Sequence, residues 1–220
     1  MPRIFDNMDM RLNEALRNSL SNGYRADFCV GYFNLRGWKT IDSEIERFAG
    51  ENERQCRLLV GMALSDEVEL RQALSAAPQG RMDNNGAITL KKRLAESFRR
   101  QLCFGVPSEA DEAGLRRLLR QLCEGKLAVK LFTNYSLHAK LYLVFREDAD
   151  NPAIGYVGSS NLTFAGLRKQ GELNVDVLDH DSTTKLATWF DDRWEDRFSV
   201  DITEELIKII DESWAREDLI

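Results

Sequence analysis

Leu137-His138-Ala139-Lys140-Leu141-Tyr142, followed eighteen residues after Lys140 by Gly158-Ser159-Ser160-Asn161, is the stretch from which the fold can be read. His138 to Phe145 is dense in β-formers, and period-two alternation puts His138, Lys140 and Tyr142 on one face of a strand. An imidazole and an ammonium projecting together can attack and hold a phosphate, because lysine offers a positive charge and three donors. A His-x-Lys pair taken alone also suits an ordinary strand histidine, so its meaning rests on what surrounds it. The other histidine, His180 in Asp179-His180-Asp181, reads as polar surface, and two histidines leave little room for a histidine-rich metal site.

Gly158 to Thr163 follows a strand pattern at Ile154 to Val157 and precedes Gly166. As local structure it suits a strand-to-turn connection whose serines cap a short helix. As chemistry, Ser159 and Asn161 aim hydroxyl and amide donors at phosphate oxygens where negative charge grows in a transition state. Glu172 opens the next strand pattern, Glu172-Leu-Asn-Val-Asp-Val-Leu178. It is either a solvated strand-end carboxylate or the acceptor that fixes the His138 tautomer and leaves one nitrogen free to attack.

Upstream, Leu12, Leu16 and Leu20 recur every four residues and stop at Asn22-Gly23, an amphipathic helix with a glycine end. Asp27 to Phe33 and Cys56 to Met62 read as buried strands, with Thr40 to Phe48 as a crossover helix between them. A β-α-β start predicts a parallel pair with a right-handed crossover. Ser65 to Gly125 is mostly helical, with caps at Ser65 and Ser108 and a turn-prone break at Met82-Asp-Asn-Asn-Gly86. Sixty residues exceed one crossover and predict an insertion or a cap beside the sheet. Ala128 to Phe132 is a further strand. Lys185 to Arg197 is a helix with Leu186, Trp189, Phe190 and Trp194 along one side, and a last helix covers roughly Glu204 to Trp214. Ala215 to Ile220 has no glycine, proline or polar tail, the ending expected of an N-terminal part of a longer protein.

The 220 residues suffice for one sizeable core. A net charge of −6 argues against a wholly basic nucleic-acid coat, although local patches can still bind phosphates. Lys91 to Arg120 holds eight Lys/Arg against four Asp/Glu, whereas Asp176 to Ile220 holds fourteen Asp/Glu against five Lys/Arg. A nucleic-acid partner is therefore expected at the middle of the sequence. Cys29, Cys56, Cys103 and Cys123 show no Cys-x-x-Cys spacing and read as small core residues of a reduced protein. The N-terminus lacks the apolar stretch of a signal peptide and no run approaches the ~20 apolar residues that span a bilayer, so a cytoplasmic location is expected.

In their order and spacing, His138-x-Lys140, Gly158-Ser159-x-Asn161 and Glu172 resemble the phospholipase D superfamily and its HKD motif, over about Val129 to Val177. The resemblance is strongest to the nuclease-like branch that includes certain restriction endonucleases and the domains joined to bacterial Swi/Snf-type helicases. It implies an α/β fold: a single phospholipase D-like domain over residues 1–220, with a mixed, mostly parallel sheet flanked by helices and a helical insertion at about 65–125. The motif aspartate, five residues after the lysine, is replaced by Phe145, with Glu147, Asp148 and Asp150 only in the following loop. That aspartate is often absent in the nuclease-like branch. Its loss weakens a phospholipase reading more than a nuclease one, and keeps open a domain that binds without cutting.

The superfamily works with two facing His-Lys pairs, one histidine attacking phosphorus while the other protonates the leaving oxygen and later activates water. One His-x-Lys per chain then implies a homodimer with the active site on its two-fold axis, each subunit giving His138, Lys140, Ser159, Asn161 and Glu172. The resemblance implies no metal and no other cofactor, the lysines and amides supplying the charge stabilisation. Arg99, Arg100, Arg116, Arg117 and Arg120, on predicted helices, suit a DNA backbone as well as a solvated helix face. No basic amphipathic helix of the membrane-surface kind is present. The expected function is thus a metal-independent nuclease acting on DNA through a phosphohistidine, with a fused or associated helicase as partner. The other reading is a catalytically degenerate module that binds nucleic acid or a partner. A hydrolase built on Ser159 or Ser160 lacks the Gly-x-Ser-x-Gly elbow.

Overall fold

A computed structural model describes residues 2–51, 53–61, 84–102 and 109–212. The expected caps at Ser65 and Ser108, the first residues of the 82–86 turn, Cys103 and the 215–220 ending lie outside the described residues. The leucine repeat forms α1 (Leu12–Ser21) with Leu12, Leu16 and Leu20 fully buried. The first two predicted strands are β2 (Gly23–Val30) and β3 (Cys56–Val60), paired in parallel. Their crossover is made of two short helices, α2 (Leu35–Trp38) and α3 (Asp42–Ile45), rather than one. Between β3 and the next strand run α4 (Asn84–Leu102) and α5 (Glu109–Cys123). Leu94, Ala95, Phe98, Leu115, Leu118 and Leu122 from these two helices enter the main core.

The later strands are β4 (Leu127–Phe132), β5 (Leu141–Arg146), β6 (Ala153–Gly158) and β7 (Asn174–Val177), with α6 (Phe164–Arg168) before β7. Then follow α7 (His180–Trp194), β8 (Ser199–Asp201) and α8 (Thr203–Asp211). His180 is the exposed first residue of α7, whose cap is Asp179, so the polar stretch around it is a helix start. The two-residue strand β1 (Ile4–Phe5) and β8, neither apparent in the sequence, close the two edges.

The sheet is eight-stranded and mixed, in the order β1-β7-β6-β5-β2-β3-β4-β8. It corrects the mostly parallel balance expected: β2–β3 and β3–β4 are parallel and the other five pairings antiparallel. The cause is connection length. Parallel neighbours need a crossover of a dozen or more residues. Residues 133–140 and 147–152 carry no helix, so the chain turns back and lays β5 and β6 down antiparallel.

Two apolar layers cover the sheet. The larger gathers α1 to α6 and α8 over one face; the smaller packs Phe190 and Trp194 of α7 on Cys29, Leu59, Leu141 and Leu143. α7 is also pinned electrostatically. Arg57 on β3 donates to both oxygens of fully buried Asp27 on β2 at 2.7 Å and to Asp191 of α7 at 2.6 Å. Cys29 and Cys56 are buried thiols, but Cys123, the last residue of α5, is exposed, which corrects its reading as a core residue. Among the described residues no helix is long and apolar enough to cross a membrane.

Candidate active site

Strand order brings the motif residues to one end of the sheet. Leu141, the first residue of β5, pairs with Cys29 near the end of β2 and with Val157 near the end of β6; Gly158 pairs with Asn174 at the start of β7. His138 and Lys140 lead into β5, Ser159 and Asn161 leave β6, and Glu172 precedes β7. All five therefore meet where β2 and β3 finish.

His138 lies just before the strand rather than within it, yet the predicted alternation holds. Leu137, Ala139, Leu141 and Leu143 pack in the smaller core, while Tyr142 and Val144 enter the larger one. His138 and Lys140 continue the Tyr142 row past the edge of the sheet. The segment is anchored by the N–H of Leu137, which donates to Gly61 O at 3.1 Å, and by Lys140 O, which accepts from Gly158 N at 3.2 Å. Only glycine fits at 61, because a Cβ there would stand 2.4 Å from Leu137 O. His138 is exposed, and its imidazole makes no hydrogen bond or ion pair among the described residues. Lys140 donates from Nζ to His138 O at 2.6 Å, one of its three donors, leaving two for a ligand.

Asn161 Oδ1 accepts from the backbone N–H of Tyr32 at 2.9 Å. An N–H can only donate, so this bond fixes the amide orientation and leaves the Nδ2 hydrogens for an anion. Ser159 Oγ donates to Glu172 Oε2 and accepts from Leu173 N at 3.0 Å. Glu172, expected to take a hydrogen bond from His138, is thus engaged by the serine hydroxyl. Beneath them Ser160 is buried: its carbonyl accepts from Tyr142 OH at 2.9 Å and its Oγ from Asn174 Nδ2 at 2.8 Å. Burial holds the Tyr142 hydroxyl well above its ordinary range, with Glu172 and Cys29 adding to the effect, so it stays a neutral donor.

Asn174 and Tyr142 hold the Ser159–Asn161 loop in place and were not singled out as site residues from sequence. A signal existed: in Leu173-Asn174-Val175-Asp176 the polar residues alternate, and it is they that face inward, with Asp176 taking Arg3 at 2.7 Å. Phe145 sits near the other end of β5, with the Arg25 guanidinium 4.6 Å from its ring centroid. Glu147 ion-pairs with Arg54, and Asp148 accepts from the turn N–H groups of Asp150 and Asn151. Those carboxylates lie a strand length, about 20 Å, from Lys140 and do not stand in for the missing aspartate.

The arginines expected to meet nucleic acid are scattered in role. Arg116 pairs with Glu112, Arg117 with Asp42 and Arg120 with Glu46, at 2.6, 3.3 and 2.8 Å. Arg99 is half-buried, and the Arg100 side chain lies outside the described residues. Among the described residues no group of three or more His, Cys, Asp or Glu is placed to hold a metal ion.

The family described as cardiolipin synthase, PLD-like domain matches residues 16–194. No curated protein matches the chain. Among solved structures, phosphatidylserine synthase of Haemophilus influenzae Rd KW20 is 17% identical with a TM-score of 0.52, over 96% of this chain and 41% of that one. Nuc, a phospholipase D family member from Salmonella typhimurium, is 10% identical with a TM-score of 0.49, over 91% and 97%. NucT from Helicobacter pylori is 11% identical with a TM-score of 0.48, over 91% and 98%. At 17% identity the likeness to the synthase bears on the fold alone. The family match runs from within α1 to the end of α7, taking in β2 to β7 and both motif segments, and by it the chain belongs to the phospholipase D-like domain family.

Proposed function

We propose that the protein is a metal-independent phosphodiesterase that cleaves DNA through a phosphohistidine. The observation that carries this reading is the convergence of His138, Lys140, Ser159, Asn161 and Glu172 at one end of the sheet. A nitrogen of His138 attacks phosphorus and the P–O bond to the leaving strand breaks. The leaving oxygen takes its proton from the partner subunit's His138, and water then cleaves the P–N bond to regenerate the imidazole. Lys140 and the Asn161 amide hold the phosphoryl oxygens as charge accumulates. One His-Lys pair per chain, with His138 exposed and Lys140 half-buried, supports a homodimer that places two such half-sites face to face. The remaining readings are that the chain is one phospholipase D-like domain with residues 65–125 as its insertion, that it works in the cytoplasm, and that a fused or associated helicase is its partner.

The test is cleavage of DNA in EDTA by the wild type and by His138→Ala and Lys140→Ala. Both variants should lose activity while keeping the circular dichroism of the parent, and the wild type should yield an acid-labile phosphoenzyme. Unchanged cleavage in both variants sinks the mechanism. Binding of DNA without any cleavage by the wild type leaves the second reading, a binding module, which Phe145 at the motif aspartate position keeps open.

A further inference from the structure

A groove of about 780 Å³ opens among α1, α2, α3, α5 and α6, and six cations line it: Arg17, Arg36, Lys39, Arg117, Arg168 and Lys169, against Asp42 and Asp111. A second groove of about 430 Å³ shares Ser43 and Arg117 with the first and adds Arg116 and Arg120 against Glu46. In a chain of net charge −6, this is a local reversal of sign built from four separate stretches of sequence.

Several of the cations are braced by acids around the rim. Arg17 pairs with Glu44 at 3.2 Å, Lys39 with Asp111 at 3.3 Å and Arg117 with Asp42 at 3.3 Å. Arg168 and Lys169 have no carboxylate partner among the described residues; both are exposed, with their charges 5.8 and 5.2 Å from the centroid of the Phe164 ring.

One wall of the groove, from Phe164 on, follows directly in sequence on the loop that carries Asn161. Leu162 N donates to Tyr32 O at 3.2 Å and Leu162 O accepts from Asn34 N at 3.1 Å, so α2 and α6 both depart from the loop carrying Asn161. Phe164 is three residues from Asn161, at most about 10 Å of chain. Cations spread along two joined grooves suit a repeating anion, whereas a single phosphate is bound by a few converging donors. Cations on both walls of a concavity suit a strand lying in it, not a flat anionic surface.

We propose that this groove is an extended nucleic-acid site, binding backbone phosphates of the DNA strand beside the phosphodiester that is cut, with Arg168 and Lys169 as principal contacts. Its substrate class rests on the nuclease reading above. The test separates the two by measuring binding apart from cleavage. Full-length protein carrying Arg168→Glu and Lys169→Glu is titrated, in EDTA, with a labelled 20-nucleotide single strand and compared with the wild type and with Lys185→Glu, an exposed residue on α7.

The double variant should bind at least tenfold more weakly and lose about 1.4 from the slope of log affinity against log salt, roughly 0.7 per phosphate contact. Lys185→Glu should match the wild type. Hydrolysis of bis(p-nitrophenyl) phosphate, too small to reach the groove, should be unchanged in the double variant. Arg168→Gln with Lys169→Gln, which keeps polarity, should show an intermediate loss and guards against misfolding. Equal affinity and slope in the wild type and both double variants overturns the proposal, as does a wild type that does not bind the strand. Cleavage that survives His138→Ala overturns the mechanism and leaves the binding result standing.

Discussion

Asp27 is a carboxylate with no solvent exposure, clasped by Arg57 and by Arg25 at 2.9 Å. Burial works against the Arg57 charge, but the hydrogen bonds and charges of Asp27 and Asp191 outweigh it and hold the guanidinium above its ordinary value. Removing one partner of such a group strands the other. Arg57→Met should destabilise by about 3–5 kcal/mol in denaturant titration, and Asp27→Asn by less, because the Arg57 guanidinium left behind keeps Asp191 as a partner and is less buried than the carboxylate. Cys29 makes a pH prediction. Burial pushes its thiol up to about 12, Arg193 and Lys140 pulling weakly the other way. A folded value raised above the ordinary 9.0 means a stabilisation fully present below pH 9.0 and lost as pH climbs from there toward 12, because the unfolded chain sheds the proton first. Cys29→Ala should flatten that alkaline decline, read from unfolding free energies above neutral pH; Cys56, also pushed up by burial, accounts for part of what remains. In the site, Asn161→Ala should lower kcat by about 10²-fold, the usual effect of losing one donor to a developing oxyanion, with KM little changed.

Elements meet the site through close contacts that side chains would block. A Cβ at Gly158 would stand 2.2 Å from Leu173 O and 2.4 Å from Asn174 Oδ1, so only glycine lets β6 end against β7 with Ser159 reaching Glu172. Gly158→Ala should cost about 1–3 kcal/mol in stability and reduce kcat. Gly171→Ala, next to Glu172 but with nothing within 4 Å of its Cβ, should change neither. Thermal melts and kinetics on the two variants check both statements. Asn34 acts similarly for α2: its Oδ1 caps Gly37 N at 2.8 Å, and Asn34→Ala should cost about 1 kcal/mol. The strand patterns at 128–132, 154–157 and 173–178 appear within a residue or two of β4, β6 and β7, since β-rich apolar runs carry their own signal. α2 and α3 did not separate in the sequence because each is a single turn, too short for a helical period to register.

At the scale of the whole molecule the proposed mechanism gives each chain half of a two-histidine site, so light scattering at tens of micromolar should give twice the 25.2 kDa of one chain. A mass of one chain would remove the two-fold active site for this protein. The order His138, Lys140, Ser159, Asn161, Glu172, on which the resemblance to the family rests, was readable in the sequence, as were the α1 leucine face and the α7 aromatic stripe, because each is a local period or an ordered set of residue types. The antiparallel majority of the sheet, the Tyr32 N–H that orients Asn161 and the joining of Arg117 with Arg17, Lys39 and Arg168 in one groove were not. They depend on which strand ends lie side by side, and that follows from connection length and packing across more than a hundred residues. Arg17, Lys39, Arg117 and Arg168 are unrelated positions along the chain; the sheet order and the helices laid on it bring them to one groove.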